Sequence, residues 1–113
     1  MTYDEDLVNR LRELLAAEDA VTEKRMFGGL AFLLHGHLSV SASRNGGLLV
    51  RIDPADTDAC LALPHVALMR MGERTMDGWL IVEPGGLANE AELSAWVARS
   101  VSFVKSLPPK SQR

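Results

Sequence analysis

Between Val21 and Ile52 the chain is cut into four strand-like runs by breaks of only two, three and five residues. The runs are Val21–Phe27, Leu30–Leu34, Leu38–Ala42 and Leu48–Ile52, each rich in strand-forming side chains. The breaks are Gly28-Gly29, His35-Gly36-His37 and Ser43–Gly47. Connections this short join antiparallel neighbours, because a parallel crossover needs about a dozen residues or more. Asn45-Gly46 strengthens the reading, since both residues tolerate a positive φ at a hairpin turn. The spacing predicts an antiparallel meander.

Helical patterning flanks the meander. Tyr3, Leu7, Leu11, Leu14 and Leu15 fall on one face of a helix over about residues 4–17. Thr2 or Asp4 can cap it, and Asp4, Glu5 and Asp6 suit the positive end of its dipole. Asp53-Pro54 reads as the start of a second, short helix, with a capping aspartate followed by proline at the first helical position. Cys60, Leu61 and Leu63 are its candidate buried residues, and Pro64 stops it. Two further strands are expected at Val66–Met71 and Trp79–Val82. A last helix starts near Asn89 or Glu90 and carries Leu93, Trp96, Val97, Val101 and Val104 on one stripe. The order α-β-β-β-β-α-β-β-α predicts an α+β fold, a two-layer α/β sandwich with helices packed on an antiparallel sheet. Residues 1–107 form the expected domain and residues 108–113 a polar tail.

A chain of 113 residues makes one domain with room for a core that needs neither metal nor disulfide. A net charge of −3 gives no basic surplus of the kind that free-standing nucleic-acid binders carry. One cysteine, Cys60, cannot form an internal disulfide and suits a reducing, cytoplasmic setting. The acidic N-terminus lacks the basic and apolar regions of a secretory signal. The longest apolar run, Leu30–Leu34, is too short to cross a bilayer, which takes about 20 residues. No membrane association is expected.

Several residues suggest chemistry, and each has a plainer reading. Gly28-Gly29 fits no phosphate-binding signature and leads into no helix. A sharp bend explains it better, with one of the two glycines at positive φ and with Met26 and Phe27 filling the core. His35, His37, His65 and Cys60 are the only imidazole and thiol groups, and their spacing matches no zinc site. His35 and His37 read as exposed turn residues, and Cys60 as a buried thiol without a neighbouring base. No metal, no cofactor and no catalytic residue is expected, so the chain does not read as an enzyme. Lys24, Arg25, Arg51, Arg70 and Arg74 lie on or beside strands, with Trp79 among them. Together they would make an anion- or partner-binding face. Separately they are solvated positions paired with Glu23, Glu73 or Glu83.

The stretches VTEKRMFGGLAFLLHGHLSVSAS…GLLVRI, PHVALMRMGERTMDGWLIVEPGGL and ELSAWVARSVSFVKSLPP resemble the TfoX (Sxy) N-terminal domain family. Lys24–Leu30 (KRMFGGL), Pro64-His65-Val66, Met76-Asp77-Gly78-Trp79 and the helix around Trp96 carry the likeness, which runs from Tyr3 to Pro109. The family's namesake regulates natural competence genes in bacteria and carries a second, helical domain, for which this chain leaves no room. The resemblance implies a two-layer α/β sandwich and a stand-alone, single-domain form. It supplies no catalytic residue. The expected function is a small cytoplasmic regulatory or adaptor domain acting by protein contact, as a monomer or weak homodimer. The alternative is an anion- or nucleic-acid-binding module that uses the sheet arginines.

Overall fold

The computed structural model describes residues 5–26, 29–43, 46–71 and 73–107. Helix α1 spans Glu5–Leu14. The meander follows as β1 (Val21–Met26), β2 (Gly29–Leu34), β3 (His37–Ala42) and β4 (Leu48–Arg51). A 3-10 turn at Pro54–Asp56 leads into α2 (Thr57–Leu61). Strands β5 (Val66–Met71) and β6 (Arg74–Val82) come next, then a 3-10 turn at Pro84–Gly86 and α3 (Glu90–Lys105). The α+β order matches the sequence reading. Of the expected features, Thr2, Tyr3 and Asp4 at the N-terminus, Phe27, Gly28, Asn45 and the tail 108–113 lie outside the described residues.

All six strands form one antiparallel sheet in the order β1-β2-β3-β4-β6-β5. The turn between β2 and β3 has two residues, His35 and Gly36, at φ 52° and 85°. Positive φ at both central positions is the pattern whose twist suits a two-residue hairpin. His35 and His37 are half-buried there rather than exposed. Asp53 caps the second helical segment as expected, its carboxylate accepting from Ala55 N–H at 2.9 Å. Asn89 caps α3, accepting from Ala91 and Glu92 N–H.

Directly opposite residues share a face of a sheet. One row across all six strands reads Glu23, Phe32, Val40, Val50, Leu80, Leu68. The next row on that face reads Arg25, Leu30, Ala42, Leu48, Val82, Val66. These rows meet Leu7, Val8, Leu11 and Leu15 from the α1 segment, Cys60 from α2 and Leu93, Trp96 and Val97 from α3 in one core. Leu63 does not join it. It lies beyond the end of α2 and is 39% exposed.

The other face carries Lys24, Ala31, Ser41, Leu49, Ile81 and Ala67 in one row. Its central members are buried, with Ala31 1%, Ser41 4% and Leu49 4% exposed. Curling of the sheet accounts for this. A flat six-stranded sheet would hold its edges about 24 Å apart. Yet Met26 of β1 and Met69 of β5 line one cavity of about 130 Å³, together with residues of the four strands between. The edges therefore bend toward each other over this face. Met26 pairs with Gly29 and points into that hollow, so it fills this second apolar layer and not the helix-side core.

Ser39 is the residue skipped where the β2–β3 register shifts. Its hydroxyl lies 2.7 Å from that of Ser100 on α3, and Ser100 donates to the Ser39 carbonyl at 2.8 Å. Both residues are fully buried. One hydroxyl proton cannot serve two bonds, so Ser39 donates to Ser100 Oγ. Ser100→Ala is expected to destabilise the domain by about 1–3 kcal/mol, because it strands a buried donor and weakens the bonding of the carbonyl. The Ser39→Ala/Ser100→Ala double variant is expected to fall short of the summed single effects by about 0.5 kcal/mol or more. Urea unfolding of the three variants checks this; strict additivity would show that the pair is not coupled.

Candidate functional site: an arginine stacked on two aromatic rings

Arg51 closes strand β4. Its neighbours Val50 and Ile52 are fully buried, which pins the backbone, while Arg51 itself is half-buried. The ladder runs one bond further, Ile52 N–H donating to Gly78 O at 2.7 Å, and ends where Asp53-Pro54 starts the next helical turn. Directly opposite Arg51 stands Trp79 of β6. The Arg51 guanidinium carbon lies 4.9 Å from the Trp79 ring centroid and 5.5 Å from that of Phe103, in the last turns of α3. Each stack contributes on the order of 0.5–2 kcal/mol, more as water is excluded.

Burial pulls the Arg51 pKa below the ordinary arginine value, but a guanidinium remains charged throughout the physiological range. Among the described residues the ion pairs are Arg10–Glu90, Arg12–Glu23, Lys105–Glu18 and a longer His65–Glu83 contact. Arg51 is in none of them. A groove of about 520 Å³ runs beside Phe103, lined also by Asp53, Asp56, Ala98, Arg99, Ser102 and Ser106.

The six residues proposed from sequence as one face are distributed as follows. Arg51 and Trp79 are in contact. Lys24 and Arg25 are exposed on edge strand β1, on opposite faces of the sheet, since Lys24 pairs with Ala31 and Arg25 with Leu30. Arg70 and Arg74 are exposed on the β5–β6 hairpin, past the point where β4 ends. Glu23 does not neutralise Lys24 or Arg25. It reaches across the helix side to Arg12 at 2.8 Å and 2.9 Å, and that hydrogen bond holds its carboxyl below the usual range. Phe103 was missing from the sequence-based set. It lies seven residues after Trp96, at the same edge of the α3 stripe, and that continuation is the signal that finds it.

Cys60 is buried, and burial raises its thiol pKa, with Arg99 acting against the rise and Asp56 adding to it. Among the described residues no three His, Cys, Asp or Glu side chains come together as a metal site would require. No helix among them is long and apolar enough to cross a membrane.

The motifs that suggested a family have structural work in this fold. His65 carries a positive φ of 67°, its carbonyl accepts from Glu83 N–H at 2.8 Å, and its ring packs on the turn at Pro84–Gly86. Gly78 and Trp79 join β6 to the start of α2 and to Arg51. The family model described as the TfoX N-terminal domain matches residues 13–104. The chain belongs to the TfoX N-terminal domain family. Comparisons with curated proteins and with solved structures give no match. In this TfoX N-terminal domain, the matched segment contains all six strands, α2 and nearly all of α3, so the stacked Arg51 lies wholly inside it.

Proposed function

We propose that this TfoX N-terminal domain is a cytoplasmic regulatory or adaptor module that acts by contact with another protein and catalyses no reaction. Family membership over residues 13–104 carries the reading, together with the resemblance to a family named for a regulator of gene expression. The stacked Arg51 adds a surface group with the composition of a protein-contact anchor, since arginine and tryptophan are enriched at such positions. The second reading, anion or nucleic-acid binding through the sheet arginines, draws on the same Arg51. The net charge of −3 and the scatter of the other four basic residues weigh against an extended polyanion.

The test is affinity capture from the source cells, identification of what is retained, and isothermal titration of the purified components. A protein bound at one-to-one stoichiometry, with binding that varies little with salt, is the expected result. A nucleic acid whose affinity falls steeply with salt, as counterion release requires, would replace the proposal with the second reading.

A further inference from the structure

We propose that Arg51, held against Trp79 and Phe103, is the receptor for a single carboxylate, an aspartate or glutamate side chain presented by the partner protein. The inference rests on the adaptor reading and names the chemistry of its contact. Three observations converge on it. Arg51 is half-buried, yet no carboxylate pairs with it among the described residues. A half-buried cation without an anion carries a partly uncompensated desolvation penalty, of which the two rings offset a share. Contact with both rings also restricts the guanidinium, whose in-plane N–H groups are the ones that grip a carboxylate by two parallel bonds.

The groove that shares Phe103 with the arginine stack carries fixed charge. Asp53 and Asp56 line it together with Arg99, which stacks over Trp96 at 4.7 Å. Asp53 is engaged as the helix cap, accepting from Ala55 N–H, so it stays in place as a fixed negative charge. A nucleic acid laid along this groove would set successive phosphates against the two aspartates. A single carboxylate that reaches Arg51 between Trp79 and Phe103 need not enter the groove, whose lining does not include Arg51. Phe103 and the small residues Ala98 and Ser102 then give the apolar flanks of an acidic side chain a surface to cover.

The probe is the capped tripeptide Leu-Glu-Leu, with Leu-Gln-Leu as its neutral twin and a single-stranded oligonucleotide as the polyanion arm. Side-chain resonances of Arg51 Nε–H and Trp79 Nε1–H are followed by NMR during titration of the full chain. Saturable shifts at both groups are expected with the glutamate peptide. About a tenfold or greater loss of affinity is expected in Arg51→Met, which keeps the stem and removes the donors. Arg51→Lys keeps the charge but loses the fork, so an intermediate loss is expected; it also serves if Arg51→Met does not fold. Equal shifts with the glutamine peptide, no saturable shift with either, or tighter oligonucleotide binding at the same two groups would overturn the assignment. The probe does not need the native partner. Failure here, with a stoichiometric partner found by affinity capture, removes Arg51 from the interface and leaves the adaptor reading standing.

Discussion

Gly29→Ala is expected to lower the unfolding free energy by about 3 kcal/mol or more, the upper end of what overpacking costs. A Cβ placed on Gly29 would collide with the carbonyl oxygen of Ala42 and sit 3.0 Å from its carbon. Carbon and oxygen in favourable contact stay about 3.3 Å or more apart. The obstacle is main chain, so no rotamer change removes it. Strand β3 would have to move away from β2 at the end where Leu30 pairs with Ala42. The backbone angle at Gly29 is not the cause. Positive φ occurs at Gly36, Gly46 and Gly78 among the described glycines, and not at Gly29. The sequence-based expectation of a positive φ is therefore corrected for Gly29, while Gly28 lies outside the described residues. Thermal unfolding should show a loss in melting temperature on the order of 10 °C or more. Ala42→Gly should not rescue it, because the clash is with the Ala42 carbonyl. A loss under 1 kcal/mol, or full rescue by Ala42→Gly, would show that the close approach is not what requires glycine.

The contrast between what the sequence reveals about this fold and what it hides follows the range of the interactions. The meander was legible because turn chemistry is local: the break at His35–Gly36 and the cap at Asp53-Pro54 each act within a few residues. The place of β6 between β4 and β5 was not, since it depends on pairing Leu48–Arg51 with Trp79–Val82 across an intervening helix and strand. Met26 was expected in the core with the helices. Its side goes instead to the curled face, because it pairs with Gly29 one residue out of phase with Leu30. Leu63 was assigned to a helix face, but α2 ends at Leu61 and the next residues no longer follow its period. At the candidate site Arg51 and Trp79 were both legible as residues of interest. Their contact was not, because it comes from strand register, and the other four basic residues share only a charge with Arg51. Phe103 completes the stack from an element some fifty positions away in the chain; helical spacing picks out the residue but does not pair it with Arg51.

Gly78→Ala joins stability to the candidate site. Gly78 has a φ of 84°, where an L side chain costs about 1–2 kcal/mol. A Cβ there would also lie 2.9 Å from the Ile52 carbonyl oxygen and 3.1 Å from Pro54 Cγ. The residue is bonded on both sides. Its N–H donates to Thr57 Oγ1 at 2.9 Å, its carbonyl accepts from Ile52 at 2.7 Å, and Thr57 in turn donates to the Pro54 carbonyl at 2.7 Å. Strain and crowding add, so a loss of about 2–4 kcal/mol is expected in urea unfolding. Asparagine accepts left-handed backbone more readily than alanine but keeps a Cβ. Gly78→Asn should therefore recover about 1 kcal/mol and no more. Full recovery would assign the whole effect to backbone angle, and none would assign it to crowding. Because Trp79 follows directly and faces Arg51 across the ladder, relief of the crowding must shift the indole. The variant is thus expected to alter the Trp79 Nε1–H resonance under conditions where it is still folded, while the buried Trp96 signal holds. Loss of stability with the Trp79 signal unchanged would show that the strained glycine supports the fold alone and does not position the arginine stack.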